Sequence, residues 1–377
     1  MVYLRRYQMS LFRPIRLLLL TMLIALVVGA VHLWNYVADL SEPVLTPINK
    51  SYIGYSLIPQ KVLGLKLEQF TFTGWDGGEV QAVIARKDGE ESSRQLTITG
   101  DLNQNKAERL REIDYALICV DWDHGIRSSL PLAESLTAAG ITCVLWEPRG
   151  ADNRRPHCTH GLRESADVPR LINELTRRSG KDNPVIIGVG QGYGAALMLQ
   201  AAASDPRILG LVSIDAYASL RESIIRTMPD SPLTLATLSL MDLRINSSVG
   251  FECFDVAPVE SAAKLDRNIP VLVINLAQDN PISTLEDAVT IYRQLRSDHR
   301  ELWTLRGPSD APGENTRTIH PDGVPSRKTP ITASLHKDED SAVIAVVHWL
   351  NDTFMPAMDT PHVHVPARPL LTSDCQL

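Results

Sequence analysis

Cysteine, aromatic residues and excess positive charge are all scarce in this chain of 377 residues. The five cysteines are too few and too irregularly spaced for a disulfide framework or a metal site of the CxxC type. The net charge of -7 argues against a dedicated nucleic-acid surface, which needs clustered lysine and arginine. The sequence therefore predicts no nucleic-acid partner. No metal cluster or phosphate-binding loop in it indicates a cofactor.

The cysteines fall into two groups by their surroundings. Cys119 and Cys143 lie in continuous apolar runs, which predicts buried thiols. Cys158 and Cys253 lie in loop-like segments, and a disulfide between them is conceivable in an oxidising compartment.

A single long apolar run lies near the amino terminus, at residues 17–37, behind a basic segment, residues 1–16. We favour an uncleaved transmembrane signal anchor, because Trp34 and Tyr36 would form an interfacial aromatic belt. The basic flank predicts a cytoplasmic amino terminus, and hence a single-pass protein of the cell membrane whose main domain is extracytoplasmic. Cleavage after Ala30, which would release a secreted protein, is the alternative.

Beyond the anchor, strand-like and helix-like segments alternate. The strand-like segments are continuously apolar, which predicts a sheet covered on both faces and therefore a mostly parallel, doubly wound α/β fold. The predicted strands are residues 65–72, 80–85, 116–120, 142–146, 184–189, 208–214 and 270–275, and the predicted helices are residues 129–139, 163–178, 195–203 and 341–354. The predicted divisions are a linker (38–64), a main domain (65–356) containing a small cap (218–268) and a loop insert (311–335), and a tail (357–377).

A glycine-rich turn, GVGQGYG at residues 188–194, joins one predicted strand to the helix that follows. It resembles the G-x-S-x-G nucleophile elbow, in which a strained turn lifts a serine above a parallel sheet. The position of the nucleophile falls on Gly192, which has no hydroxyl group. Shifting the register offers only Gly190, Gln191 or Tyr193, and none of them is a competent acyl nucleophile.

From about residue 65 to residue 354 the chain resembles the α/β-hydrolase superfamily, particularly esterase and serine-peptidase-like members with a small helical cap. Besides the elbow, four landmarks stand in the order typical of that family. They are EPRG at 147–150, CTHGLRE at 158–164, DAYASLR at 215–221 and DVAPVESA at 255–262. The resemblance implies an α/β-hydrolase domain behind the transmembrane helix.

The resemblance also implies a triad of nucleophile, acid and base. Asp279 stands at the acid position after the seventh strand, although it could instead cap the next helix, and Asp215 is a second choice for the acid. The base is displaced, because Asp310 stands where the family carries histidine. His336 is the best substitute, followed by His320.

The oxyanion hole of such a site would use backbone amides near Trp122 and Tyr193. Asp121 and Asp123 flank the first of these, and their charge would oppose a developing anion. His124 with the glycine after it is a displaced version of the family's His-Gly pair.

These departures favour a degenerate serine hydrolase that keeps a pocket above Gly192 for an ester-like or amide-like ligand or for a partner protein. Trp122, Tyr193, Tyr217 and Asp279 would line that pocket, unless the aromatic residues simply pack under the cap.

Two alternatives stay open at this stage. One is an active esterase or peptidase with a non-standard site. The other is a dinucleotide-binding domain, because Gly190-x-Gly192-x-x-Ala195 fits the G-x-G-x-x-G/A fingerprint and Asp215 follows at the distance of a ribose-binding acid.

Overall fold

The structure is a computed structural model with a long amino-terminal helix and an α/β domain. It describes residues 2–45, 60–88, 113–119, 125–148, 158–249, 253–276, 280–305 and 316–318, and, close to the carboxyl terminus, residues 343, 345–347, 349–350 and 353.

The strands in these ranges form one ten-stranded sheet in the order β1-β2-β3-β5-β4-β6-β7-β8-β9-β10. They are β1 (Lys61–Val62), β2 (Leu65–Thr73), β3 (Glu79–Lys87), β4 (Tyr115–Cys119), β5 (Thr142–Trp146), β6 (Ile186–Gln191), β7 (Ile208–Ile214), β8 (Val271–Asn275), β9 (Arg300–Leu305) and β10 (Thr316–Thr318).

Helices connect and cover these strands. They are α1 (Val2–Leu45), α2 (Gly125–Ser128), α3 (Leu130–Ala138), α4 (Asp167–Ser179), α5 (Tyr193–Ser204), α6 (Leu220–Thr227), α7 (Thr234–Val249), α8 (Pro258–Ala262) and α9 (Leu285–Gln294). Short 3-10 turns stand at Glu164–Ala166 and Cys253–Asp255.

The pairing of the strands confirms the predicted doubly wound sheet. Strands β2 and β3, which cover the predicted strands 65–72 and 80–85, pair as an antiparallel hairpin, and β3 joins β5 antiparallel. From β5 through β4, β6, β7 and β8 to β9 every neighbouring pair is parallel. The carboxyl ends of β6, β7 and β8 therefore lie along one edge of the sheet, where sites in such folds are built.

Apolar side chains cover both faces of the sheet, which is why the predicted strands are continuously apolar. On one face Leu117 and Cys119 belong to the core that includes α4, α5 and α9. On the other face Ala116 and Ile118 belong to the core that includes α3 and the last described helical residues, 345–347 and 349–350. The helix predicted near the carboxyl terminus is thus confirmed at its described positions.

Helix α1 does not end where the predicted membrane span ends, at residue 37, but continues to Leu45 through the start of the predicted linker. The reason is packing. Val37, Ser41 and Leu45 recur on one face of the helix and are buried against the domain. One helix in the described ranges, Arg16–Leu45, is long and apolar enough to cross a membrane, a test that a signal sequence also passes.

The segment predicted as a cap, residues 218–268, consists of α6, α7, a 3-10 turn and α8. Ser219 caps α6 by accepting a hydrogen bond from the amide of Glu222. Helix α7 buries Leu238, Met241 and Ile245 in a cluster that also contains Val37. The cap and the end of α1 therefore share one apolar core.

Candidate functional site

The glycine-rich turn forms a sharp bend between β6 and α5. Gly192 adopts φ 54° and ψ −119°, a conformation that L side chains rarely adopt. Its amide donates to the carbonyl of Ile214 at 2.8 Å, and its carbonyl accepts from the amide of Ala195 at 3.1 Å. The bend is therefore held both by the neighbouring strand β7 and by the first turn of α5.

Glycine at position 190 is required by the close approach of α5 to the end of β6. A Cβ atom there would lie 2.4 Å from the Cα of Ala195 and 2.4 Å from the carbonyl oxygen of Gly194. Backbone atoms cannot swing away as a flexible side chain can. Gly190, the first glycine of the predicted G-x-S-x-G pattern, is thus fixed by helix-against-strand packing.

Asp215, directly after β7, connects two strand ends. It has a positive φ of 51°, its amide donates to Ile274 at 2.8 Å, and its Oδ1 accepts from the amide of Leu276 at 2.8 Å and from Asn275 Nδ2 at 3.2 Å. These bonds engage the carboxylate in holding β7 to β8. They favour a structural role over the roles of second-choice acid or ribose-binding acid that the sequence suggested.

Tyr193, the first residue of α5, points its ring into the protein and is 2% exposed. The ring packs edge-on against His160 with centroids 6.0 Å apart, and the hydroxyl interacts with the thiol of Cys158. Burial raises the pKa of the phenol well above its ordinary value. Tyr217 is equally buried, in the core that the cap shares with α1, while Tyr193 belongs to the central core, so both rings are packed inside the protein.

The backbone amide of Tyr193 has a different significance from its side chain. It belongs to the first turn of α5, where amides lack partners within the helix and the helix dipole favours negative charge. A peptide N–H in this place is chemically suited to stabilise an oxyanion.

A buried polar loop, residues 158–164, packs against Tyr193, the residue that follows Gly192. The carboxylate of Glu164 accepts from the amide of Thr159 at 2.8 Å, from Thr159 Oγ1 at 2.5 Å and from the amide of Gly161 at 2.9 Å. Burial nevertheless raises the pKa of Glu164, with these hydrogen bonds acting in the opposite direction. The network fixes the shape of a loop whose other side contacts Tyr193.

His160 joins this loop to the amino-terminal helix. Its backbone is left-handed, with φ 53°, and its Nε2 lies 2.9 Å from the carbonyl oxygen of Val44. Because a carbonyl can only accept, Nε2 carries the proton. Burial lowers the pKa of the imidazole to about 4, with the bond to Val44 acting in the opposite direction, so the ring is neutral at ordinary pH. Beside it, the amide of Cys158 donates to Leu45 at 2.8 Å.

The cysteines with described side chains are buried thiols. Cys119 and Cys143 confirm the prediction from their apolar surroundings, and burial raises the pKa of Cys143 above its ordinary value. Cys158 is likewise buried. The pairing of Cys158 with Cys253 considered from the sequence is wrong, because Cys158 is a thiol in the structure.

The cap is attached to the loop after β8 by Arg226 of α6. Its guanidinium donates to Asp287 Oδ2 at 2.6 Å and to the carbonyl oxygens of Pro281 at 2.9 Å and Ile282 at 3.2 Å. Helix α9 itself is capped by Thr284, in a reciprocal capping box with Asp287. Other residues thus fill the capping role that we considered for Asp279.

Several predicted site residues cannot be placed. Trp122, Asp279 and His336 lie outside the described residues, as do Asp310 and His320. Among the residues that are described, no group of three or more histidine, cysteine or acidic side chains could hold a metal ion. A polar cavity of about 780 Å³ lies at the amino-terminal ends of β8 and β9, on the side of the sheet away from Gly192. Lys264, Arg267 and Arg296 form part of its lining.

Sequence reasoning missed the contributions of His160, Glu164 and Arg226. The one available signal was the CTHGLRE motif, which we noted as a landmark without assigning roles to its polar residues. The partners of His160 and Arg226 lie 116 and 61 residues away, so no local pattern reveals them.

Comparison with solved structures identifies the architecture. An esterase from Pyrococcus furiosus superposes with a TM-score of 0.52 at 13% identity, covering 81% of this chain and 99% of the esterase. A second crystal form of it gives 0.53 at 12% identity, covering 81% and 97%. The fold is that of an α/β-hydrolase. An acylaminoacyl peptidase from Pyrococcus horikoshii gives only 0.43 at 14% identity, over 64% of this chain and 37% of the peptidase.

No protein-family model and no curated protein matches the chain. At 12–13% identity the esterase shows the α/β-hydrolase fold alone and transfers no activity. The strand order agrees with it, since Gly192 follows a central strand that has β4 and β7 as neighbours. A dinucleotide fingerprint belongs instead to the first strand-helix-strand unit of its domain. The α/β-hydrolase fold therefore favours interpreting the glycine-rich turn as an elbow.

Proposed function

We propose that this chain is a membrane-anchored α/β-hydrolase-fold protein that has lost the serine nucleophile and binds a ligand or partner without hydrolysing it. The observation that carries the proposal is the backbone of Gly192 between β6 and α5, at φ 54° and ψ −119°, a conformation that glycine adopts freely but that strains an L residue. This is the place where the fold presents a nucleophile. With only hydrogen atoms on its α-carbon, Gly192 has nothing to attack a carbonyl.

The other groups of the proposed site also differ from those of an active serine hydrolase, which fits a loss of ester hydrolysis. Asp279 stands as the acid, His336 as a displaced base, and the amides of Trp122 and Tyr193 as oxyanion donors. When the triad of an ordinary serine hydrolase is removed by mutation, substrate binding and the oxyanion hole alone still accelerate hydrolysis by about 10³ to 10⁴ over the reaction in water. Asp121 and Asp123 beside the first donor oppose the developing negative charge. We expect a smaller residual rate here.

An active esterase-like or peptidase-like enzyme is the second candidate, which we consider because an esterase from Pyrococcus furiosus has the same fold. It requires a nucleophile brought to Gly192 from another part of the chain. Cys158, a thiol near the elbow, is fully buried and interacts with the hydroxyl of Tyr193. That burial makes it a poor nucleophile for a substrate in solution.

Membrane attachment is proposed from α1. Residues 17–36 measure about 29 Å along a helix, which matches the hydrocarbon core of a bilayer. Four arginines precede this stretch and favour a cytoplasmic amino terminus. The same helix continues to Leu45, whose carbonyl accepts from Cys158. The α/β-hydrolase domain would thus sit directly on its anchor, on the extracytoplasmic side.

The test is hydrolysis of short-chain p-nitrophenyl esters by the full chain in detergent. We expect rates at the level of buffer for the native chain and for Gly180→Ser, a control at another glycine of positive φ with nothing within 4 Å of an added Cβ. Saturable turnover by the native chain would overturn the proposal and favour the enzyme.

The variant Gly192→Ser tests whether Asp279 and His336 still serve as acid and base. If Asp279 and His336 form the acid and base that we assign, this variant gains ester turnover, and Gly192→Ser with His336→Ala loses it again. A folded Gly192→Ser chain without any gain would overturn the assignment of His336. Folding is checked by thermal unfolding, because serine at this φ costs about 1 to 3 kcal/mol.

A further inference from the structure

We infer that the cap helix α7 rests on the bilayer surface, with Arg244 on lipid phosphate groups and Leu243 among the outermost acyl-chain carbons. This inference rests on the proposed membrane anchor, since the height of α7 is set by its contact with α1. It goes beyond anchoring, because it makes the cap itself a lipid-contacting surface.

The decisive contact joins Arg244 to Trp34. The guanidinium carbon of Arg244 lies 5.7 Å from the centroid of the Trp34 ring, within the range of a cation–π interaction. Trp34 lies 17 residues beyond Leu17, about 26 Å along the helix, and so falls at the outer boundary of the hydrocarbon core. Tryptophan is enriched at this depth. A side chain stacked on Trp34 is therefore at the level of the lipid headgroups.

Arg244 has no carboxylate partner within the described ranges, unlike Arg221 and Arg226 of helix α6. Arg221 pairs with Asp242 at 3.3 Å and with Asp255 at 3.0 Å, and Arg226 pairs with Asp287 at 2.6 Å. Asp242, two residues before Arg244, is thus engaged elsewhere. A guanidinium whose N–H groups are not bound to a carboxylate can donate two parallel hydrogen bonds to a phosphate group.

Leu243 supplies the apolar half of the surface. It is 62% exposed, and no described element covers it. Its neighbours on the opposite face, Met241 and Ile245, are buried in the shared core, which fixes the rotation of α7 about its axis. An exposed leucine beside a cation at headgroup depth is the composition of an interfacial helix. The partner we commit to is therefore the phospholipid surface around α1.

The experiment uses the full chain in phospholipid nanodiscs, with Cys253→Ser and Cys375→Ser as background. The cysteines at 119, 143 and 158 are buried and do not label. An NBD fluorophore is attached to Leu243→Cys, to Leu26→Cys within the span, or to Leu209→Cys, an exposed leucine at the edge of the sheet opposite Gly192. Quenching is measured with lipids that carry a nitroxide near the headgroup or near the chain end.

We expect the label at 243 to be quenched by the shallow nitroxide, the label at 26 by the deep one, and the label at 209 by neither. An unquenched label at 243 together with a deeply quenched label at 26 would overturn this inference and leave the anchor standing. An unquenched label at 26 would overturn the anchor as well.

The role of the guanidinium is tested in the same samples. Arg244→Glu repels phosphate, so we expect loss of the shallow quenching at 243. Arg177→Glu, a charge reversal at an exposed arginine of α4, should leave it unchanged. Equal quenching with and without Arg244→Glu would overturn the assignment of phosphate to Arg244.

Discussion

The imidazole Nε2 of His160 donates a hydrogen bond to the carbonyl oxygen of Val44 at 2.9 Å. The bond connects the last turn of the amino-terminal helix to the loop that supports Tyr193, the residue after Gly192. The carbonyls of a helix's last turn have no partner within the helix. Here His160 and the amide of Cys158 satisfy two of them, so the helix is built into the domain and not merely tethered to it.

Removing the imidazole should therefore destabilise the whole domain. We expect His160→Ala to lower the free energy of unfolding by about 2 to 4 kcal/mol, because it leaves a buried carbonyl without a donor and opens a cavity. Urea unfolding of the full chain in detergent measures this. His299→Ala, at an exposed histidine, is the control and should change the value by less than about 0.5 kcal/mol. Equal effects would contradict the structural role of His160.

The same residue predicts a pH dependence. The folded-state pKa of His160, about 4, lies below the ordinary value of 6.5, so between these values the unfolded chain binds a proton that the folded chain excludes. The contribution to stability is complete above pH 6.5 and is lost as the pH falls toward 4, by about 3 kcal/mol in total.

Glu164 acts in the opposite direction, because its raised pKa makes the fold more stable as the pH falls. The measurement is therefore the difference between native protein and His160→Gln, unfolded in urea at a series of pH values. Glu164 contributes equally to both chains. A difference that does not change between neutral pH and pH 4 would contradict the assigned burial of a neutral imidazole.

Close packing at the elbow predicts a contrast between two glycines. Gly190→Ala places a Cβ against backbone atoms of α5 and should lower the free energy of unfolding by about 3 kcal/mol or more. Gly188→Ala meets the flexible end of Met198, at 2.4 Å from its Cε, and should cost only about 1 to 2 kcal/mol. Thermal unfolding compares them. The reverse order would show that α5 does not approach β6 as described.

The attachment of the cap predicts a local effect. Arg226→Gln removes the bonds to Asp287, Pro281 and Ile282 and should lower the free energy of unfolding by about 1 to 2 kcal/mol, since Asp287 keeps its bonds to Ala218 and Thr284. Hydrogen exchange should accelerate in α6 and at the start of α9. Arg293→Gln, at an exposed arginine of α9, should leave exchange in α6 unchanged, and acceleration by both variants would refute a specific tie.

The sequence predicts the sheet well because its strands are buried on both faces. Continuous apolar runs such as residues 142–146 have one stable environment, the centre of a covered sheet. The elbow is equally local, since Gly190 is required by the close approach of Gly194 and Ala195, and Gly192 by its own positive φ. The fold class could therefore be read from short segments.

The parts that sequence reasoning missed depend on contacts between distant residues. The extension of α1 to Leu45 follows from burial of Val37 and Leu45 in the core shared with the cap, more than 150 residues away in the chain. Tyr193 and Tyr217 look like pocket residues in the sequence, because aromatic residues near a site suit both binding and packing. Their burial became evident only from the structure, where Tyr193 packs against the loop at 158–164 and Tyr217 against the cap.

Labelling of the full chain with a fluorophosphonate, read as the mass of the intact protein, tests most directly whether the elbow lacks a nucleophile. Gly192 has no side chain to form the phosphorus–oxygen bond, so we predict an unchanged mass under conditions that fully modify an active serine esterase. A single stoichiometric adduct that disappears when the protein is first unfolded by heat would contradict this, because it would show an activated nucleophile in the folded site.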